Sequence, residues 1–258
     1  MNIGISSSCF YPLETELSLR RVGEAGAKTA EIFFNTSSEL RGERLRELLS
    51  IRDGFGMTIS SVHPFQSFAE GYWLFGEYRR RFEDALDIYA PLFEAAAALG
   101  AKYAVFHGAK YMVIDEDDYA ERFHLLDERA KQFGVRAAHE NVVHYVGETP
   151  RFMEGLRDNL GGDFCLVLDL KQARRTGEDP FVFLDRLGQN VVHLHVSDGT
   201  DTEDCLPPGE GAFDFPRLKA ALDKLGYDRV MMIELYRKNF QRDEQLTKAK
   251  RFLEAIWQ

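Results

Sequence analysis

Apolar and polar positions along this chain alternate between two rhythms. Short β-branched or apolar runs, each about the length of a buried strand, occur at NIGIS (2–6), AEIFF (30–34), TISSVHPF (58–65) and YAVFHGA (103–109). RAAHEN (136–141), FCLVLDL (164–170), VVHLHVSD (191–198) and RVMMIEL (229–235) continue the series. Between them lie stretches whose apolar residues recur at helical spacing, among them LSLRRVGEAGA, RLRELLSIRDGFG, RRFEDALDIYAPLFEAAAALGA, YAERFHLLDERAKQFG and FPRLKAALDKLG. Several end in glycine (Gly26, Gly100, Gly134, Gly226), the residue that most readily takes the left-handed turn after a helix. Strand-then-helix units of about 30 residues, repeated eight times, predict a (β/α)8 barrel occupying residues 1–258 as one domain. A doubly wound open sheet alternates in the same way, but the G-x-G-x-x-G turn expected after its first strand is missing.

In such a barrel, polar groups at the C-terminal ends of strands sit at the mouth where chemistry is done. Strand three ends with His63, strand four with His107 and strand five with Glu140–Asn141. Strand six ends with Asp169, strand seven with His195 and Asp198, and strand eight with Glu234. Strand side chains alternate faces, so parity decides which of these point inward. Asp169 shares its face with Val167 and Cys165, Glu234 with Met232 and Val230, and His195 with His193 and Ser197. The opposite parity holds Leu166, Leu168, Leu170, Met231, Ile233 and Leu235, residues suited to face helices. Glu140, Asp169 and Glu234 are therefore expected to converge on the barrel axis beside His195. Converging carboxylates repel unless they are protonated or a cation lies between them. Two Glu, one Asp and one His suit Mn2+, Mg2+, Co2+ or Zn2+, with the oxygen majority favouring the harder ions. The competing arrangement is a buried salt-bridge network in which Lys171 or Arg237 neutralises the acids.

Composition narrows the classes of partner. The 32 Lys and Arg against 42 Asp and Glu give a net charge of −10, which disfavours nucleic acid and anionic membranes as partners. Cys9, Cys165 and Cys205 are odd in number, far apart and without C-x-x-C spacing, so no disulfide framework or zinc–thiolate site is expected. The start lacks a basic segment followed by a long apolar one, and no run approaches about 18 apolar residues. A cytoplasmic protein with no membrane span is the expectation.

FHG (106–108), HEN (139–141), LDLKQ (168–172), HLHVSD (193–198) and IEL (233–235), with GEGAFDF (209–215) after strand seven, resemble the xylose isomerase-like barrel superfamily. The resemblance covers essentially the whole chain, and its motifs fall on strands four to eight in order. That group includes ketose 3-epimerases, hydroxypyruvate isomerase, 2-keto-myo-inositol dehydratase and endonuclease IV. The resemblance implies that Glu140, Asp169, His195 and Glu234 bind one metal, the same four residues that parity selects. It also implies a homo-oligomer, a dimer or tetramer. Three departures stand out. Gln172 occupies the place where many relatives carry histidine, and no histidine follows His195, which leaves the endonuclease branch without its three-zinc cluster. The arginine that ketose 3-epimerases often carry soon after the strand-seven histidine is absent from DGTDTEDCLPPGEG.

A divalent metal and carboxylates together suggest proton transfer next to a carbonyl, on a small sugar or polyol-derived ketone. By analogy with the epimerases, Glu140 and Glu234 serve as ligands and as acid and base. A dehydratase of the keto-inositol type shares the enolisation step, and a sugar-binding barrel without chemistry is the reading from another class. His63 and His107 are expected to hydrogen-bond substrate hydroxyls or a water on the metal, or else to be neutral rim histidines. Lys171 and Gln172 would orient a substrate oxygen, with an ordinary loop cation the alternative for Lys171. Arg237 would meet an acidic group on the substrate or pair with an acid of a neighbouring loop. The aromatic segment PFQSFAEGYWLFGEY (64–78), with Trp73 at its centre, would cover the substrate or form a subunit interface. Cys9, Phe10, Tyr11 and Asn35 would complete the pocket walls. His124, His139 and His144 read as structural, His193 as lying one layer below the metal, and Glu210 as placed for a substrate contact.

Overall fold

The computed structural model describes residues 1–258 and shows a closed barrel whose strands pair in chain order. The strands are β1 (Asn2–Ser6), β2 (Thr29–Phe33), β3 (Thr58–His63), β4 (Tyr103–Phe106), β5 (Arg136–Glu140), β6 (Leu166–Asp169), β7 (Val191–Val196) and β8 (Val230–Ile233). All pairings are parallel, and β8 closes on β1 with Ile5 opposite Ile233. The helices are α1 (Thr15–Glu24), α2 (Gly42–Phe55), α3 (Glu70–Trp73), α4 (Arg79–Leu99), α5 (Glu116–Lys131), α6 (Pro150–Asn159), α7 (Leu170–Thr176), α8 (Pro180–Leu187), α9 (Phe215–Leu225) and α10 (Glu244–Ile256). None is long and apolar enough to cross a membrane. Local chemistry sets their limits. Asp115, Thr149, Asp179 and Asp214 cap α5, α6, α8 and α9 through side-chain oxygens, and left-handed Gly56, Gly100 and Gly226 end α2, α4 and α9.

Strand parity divides the interior into two chemically different shells. Ile3, Ile5, Ala30, Ile32, Ala104, Phe106, Leu166, Leu168, Met231 and Ile233 face outward and merge with the helices in one large apolar core. Inside, Val105, Ala138, Cys165, Val167 and Val192 form a small apolar floor. Gly4 on β1 leaves room there for Met232, whose Cε would lie 2.7 Å from a Cβ at that position. Above this floor the interior turns polar, with Ser6, Glu31, Ser61, His63, Glu140, Asp169, His193 and His195 all buried. A buried polar layer in a packed barrel demands internal partners. This layer is where the candidate site lies.

Candidate active site

The polar layer is assembled from strand ends. Glu140 ends β5, Asp169 ends β6, His195 lies next to the end of β7, and Glu234 follows β8. Their ligand-capable atoms all lie within 4.8 Å of one another. His195 Nδ1 is 3.0 Å from Glu140 Oε1, 3.7 Å from Glu234 Oε2 and 4.0 Å from Asp169 Oδ2. Asp169 Oδ2 is buried with no hydrogen bond directed at it, although the Lys171 ammonium is 3.0 Å away. Three carboxylates, one imidazole and an under-satisfied buried oxygen at this spacing fit a divalent cation.

Asp169 has a second task. Its Oδ1 accepts from the Gln172 amide, so it caps α7 and no loop separates β6 from that helix. Lys171 and Gln172 thus stand on a helical first turn, which corrects the reading of Lys171 as a loop cation. The Lys171 ammonium bridges Asp169 and Glu234 at 3.0 and 2.9 Å, the contact that the salt-bridge alternative anticipates. Arg237 takes no part in it. Its guanidinium donates to the Phe240 carbonyl at 2.7 Å from an exposed position.

Reading only strand ends passes over the most buried acid of the site. Glu31 lies in the middle of β2 and is inaccessible to solvent. Its Oε2 accepts from Ser61 Oγ at 2.7 Å, and His195 Nε2 and His193 Nε2 lie 3.1 and 3.3 Å from it. His63 Nε2 is 3.8 Å from Oε1. The sequence does carry the signal: Glu31 has the parity opposite to Ala30, Ile32 and Phe34, inside an otherwise apolar run. Carboxylates only accept, so Glu31 fixes a proton on His195 Nε2 and turns Nδ1 toward the other acids. His193 lies beside Glu31, one residue pair below His195.

Electrostatics follow from this crowding. Burial pushes Glu31 up, but the imidazoles of His195 and His63 and the hydrogen bonds from His193 and His195 hold it well below the usual carboxylate range. Glu140 is likewise raised by burial and then lowered further by His195 and His107, ending well below normal. Asp169 goes the other way, to about 6, through burial and the charges of Glu140 and Glu234, against the pull of Lys171. Burial lowers His195, yet the surrounding Glu31, Glu234 and Glu140 carry it well above the ordinary histidine value.

A cavity of about 450 Å³ opens above these groups, lined by Glu140, Lys171, Gln172, Glu234 and His107 together with Tyr11, Phe33, Asn35, Phe65 and Tyr236. Of the expected substrate contacts, His107, Lys171 and Gln172 line it. His63, Trp73 and Arg237 do not. His63 is stacked on Phe33 at 5.2 Å between ring centres, and both its ring nitrogens lack a hydrogen bond. Trp73 turns its ring onto Tyr89 of α4, at 6.3 Å. Of the expected walls, Tyr11 and Asn35 line the cavity. Cys9 instead ties β8 in place, accepting the Leu235 amide on Sγ at 3.3 Å, and Phe10 packs edge-on against Phe240. Glu210 reaches Gln245, away from the cavity.

Two further acids organise the rim. Glu70, buried in the aromatic segment, accepts the His107 and Gly108 amides at 2.7 Å each and so holds the end of β4. Burial raises it to about 7, the attraction of His107 and the two amides notwithstanding. Asp198 accepts the amides of Gly199, Gly209, Gly211 and Phe213 at 2.8–3.0 Å and folds the GEGAFDF loop around itself. His139 faces outward, with Nε2 2.8 Å from the Tyr119 hydroxyl.

The chain is 24% identical over 249 residues to the uncharacterized protein MJ1311 of Methanocaldococcus jannaschii, covering 91% of this chain and 83% of that one. It is 25% identical over 197 residues to the inosose isomerase of Bacillus velezensis, covering 68% and 69% of the two chains. Its backbone superimposes on a D-tagatose 3-epimerase-like protein with a TM-score of 0.81 at 22% identity, covering 100% and 97%. It matches the D-psicose 3-epimerase of Clostridium cellulolyticum H10 with a TM-score of 0.80 at 17% identity, covering 99% of each. The family model described as xylose isomerase-like TIM barrel matches residues 19–256, and this chain belongs to that family.

Proposed function

We propose that this protein is a metal-dependent isomerase or epimerase that moves a proton next to the carbonyl of a small sugar or polyol-derived ketone. The observation that carries the reading is the convergence of Glu140, Asp169, His195 and Glu234 within 4.8 Å under a cavity large enough for a single sugar ring. The likeness to an inosose isomerase supports the same class of reaction.

These four residues would hold the divalent ion, which when bound supplies Lewis acidity that acidifies the C–H beside a carbonyl. The protein supplies the rest. Glu140 and Glu234 both reach the cavity, and both carry carboxylates able to take a proton from that carbon and return it. His107 Nε2 lies 3.1 Å from Glu140 Oε2, which orients that carboxylate and offers its proton a partner. Gln172 and Lys171 line the same cavity and would bind substrate oxygens. Phe33, Phe65, Tyr11 and Tyr236 present apolar surface to the carbon face and restrict water.

Replacing Glu140 or Glu234 by Gln tests the assignment. A panel of ketoses and inososes is incubated with Mn2+ in D2O, and deuterium incorporation is followed together with product mass. The expected result is exchange in wild type, with product mass otherwise conserved, and exchange reduced at least about 100-fold in each variant. Undiminished exchange in both variants would reject the roles of the glutamates. A product lighter by one water would make the protein a dehydratase instead.

A further inference from the structure

Lys171 occupies an unusual place. It lines the cavity, yet only 2% of its side chain is exposed, and its ammonium is turned toward the acids instead of the opening. The contacts are with Asp169 Oδ2 at 3.0 Å and Glu234 Oε2 at 2.9 Å. Those are the same two oxygens that approach His195 Nδ1, at 4.0 and 3.7 Å. The arrangement follows from the helix start: Asp169 spends Oδ1 on capping α7, which leaves Oδ2 for a cation, and Lys171 sits on the first turn within reach of it. The Tyr236 ring lies 4.9 Å from the ammonium on the cavity side and offers it a second resting place.

Given the metal-binding reading above, we infer that Lys171 is a tethered competitor for the metal pocket, whose ammonium must leave Asp169 and Glu234 before a divalent ion can take both. Two cations cannot share one pair of oxygens without strong repulsion in a buried site. The four-carbon stem of lysine allows the ammonium to withdraw without moving the helix. Withdrawal toward Tyr236 leaves it at the cavity wall, where it is the one lysine or arginine among the lining residues and faces the bound substrate. Lys171 thereby couples loading of the metal to the appearance of a positive charge in the substrate cavity.

The test is Mn2+ binding to chelator-treated protein, measured by isothermal titration calorimetry and independent of turnover. Lys171→Met keeps the length and removes the charge, Lys171→Gln is a second neutral variant should the first not fold, and Lys171→Arg keeps the charge. The neutral variants are expected to bind Mn2+ at least tenfold more tightly than wild type, and Lys171→Arg no more tightly. On the substrate side, the neutral variants are expected to show a raised KM in the presence of saturating metal. Equal Mn2+ affinity in wild type and the neutral variants would overturn the competitor role and leave the metal-binding reading intact. Failure of both wild type and neutral variants to bind Mn2+ would overturn both.

Discussion

Glu31→Gln tests the buried scaffold beneath the candidate metal site. The variant keeps the shape and leaves an acceptor for the three donors now gathered on Oε2, from Ser61, His195 and His193. What it removes is the charge. A hydrogen bond to an ionised group contributes roughly 1.5–3 kcal/mol and one between neutral groups roughly 0.5–1.5 kcal/mol, so each bond weakens by about 1 kcal/mol. Three such bonds give a loss of about 3 kcal/mol in folding stability. With a urea m-value of about 3 kcal/mol/M for a chain of this size, the unfolding midpoint should fall by about 1 M. A second effect is expected at the metal. Glu31 holds the proton on His195 Nε2 and sharpens the basicity of Nδ1, and losing such a partner typically weakens metal affinity about 10–100-fold. Urea unfolding followed by circular dichroism and Mn2+ titration of the folded protein measure the two effects separately. An unchanged midpoint together with unchanged affinity would mean that the buried carboxylate neither supports the fold nor orients His195.

Other substitutions address the surrounding shell. Gly108 has φ of +83°, and a Cβ there would collide with the Tyr119 hydroxyl and lie 2.6 Å from His139 Nε2, so Gly108→Ala should cost about 3 kcal/mol and lower Tm by about 10 °C in a thermal melt. Asp198→Asn breaks the four-amide cradle, and about 2 kcal/mol of lost stability should appear with faster limited proteolysis between residues 199 and 213; an unaltered cleavage pattern would count against the cradle. His139 is held near 4 by burial, against an ordinary value of 6.5, so the unfolded chain binds the extra proton first as pH falls. Stability from this group is complete above about 6.5 and is lost as pH drops through about 4, a difference of about 3 kcal/mol. His139→Gln should flatten that acid-side loss in a pH series of urea midpoints, and a loss identical to wild type would assign the acid sensitivity elsewhere.

Much of this architecture is written in the chain's periodicity. Alternation of short apolar runs with helical stretches places all eight strands, and the parity of Asp169, His195 and Glu234 puts them inside because Leu168, Leu194 and Ile233 need helices to pack against. Three features lie outside such patterns. Glu31 is mid-strand; its parity marks it as inward, but His193 and His195 come from β7 across the barrel, so only barrel closure brings them to it. Lys171 is a plain cation in the sequence; its position depends on Asp169 capping α7, a contact that shortens the β6–α7 connection to nothing. The aromatic segment reads as a cover, yet its side chains divide. Phe65 lines the cavity, Trp73 packs on Tyr89, and Phe68 and Tyr72 stay exposed. Composition cannot separate these roles, because each is set by the turn of α3 and by Glu70 fastening that segment to the end of β4.

If the four strand-end residues hold a divalent ion for proton transfer beside a carbonyl, exchange at that carbon must depend on the ion. The most direct test is deuterium incorporation from D2O into a ketose or inosose by wild-type protein, with Mn2+ and after chelation. Exchange at the carbon next to the carbonyl that vanishes on chelation and returns with Mn2+ is the predicted result. Exchange that persists undiminished in metal-free protein would contradict it.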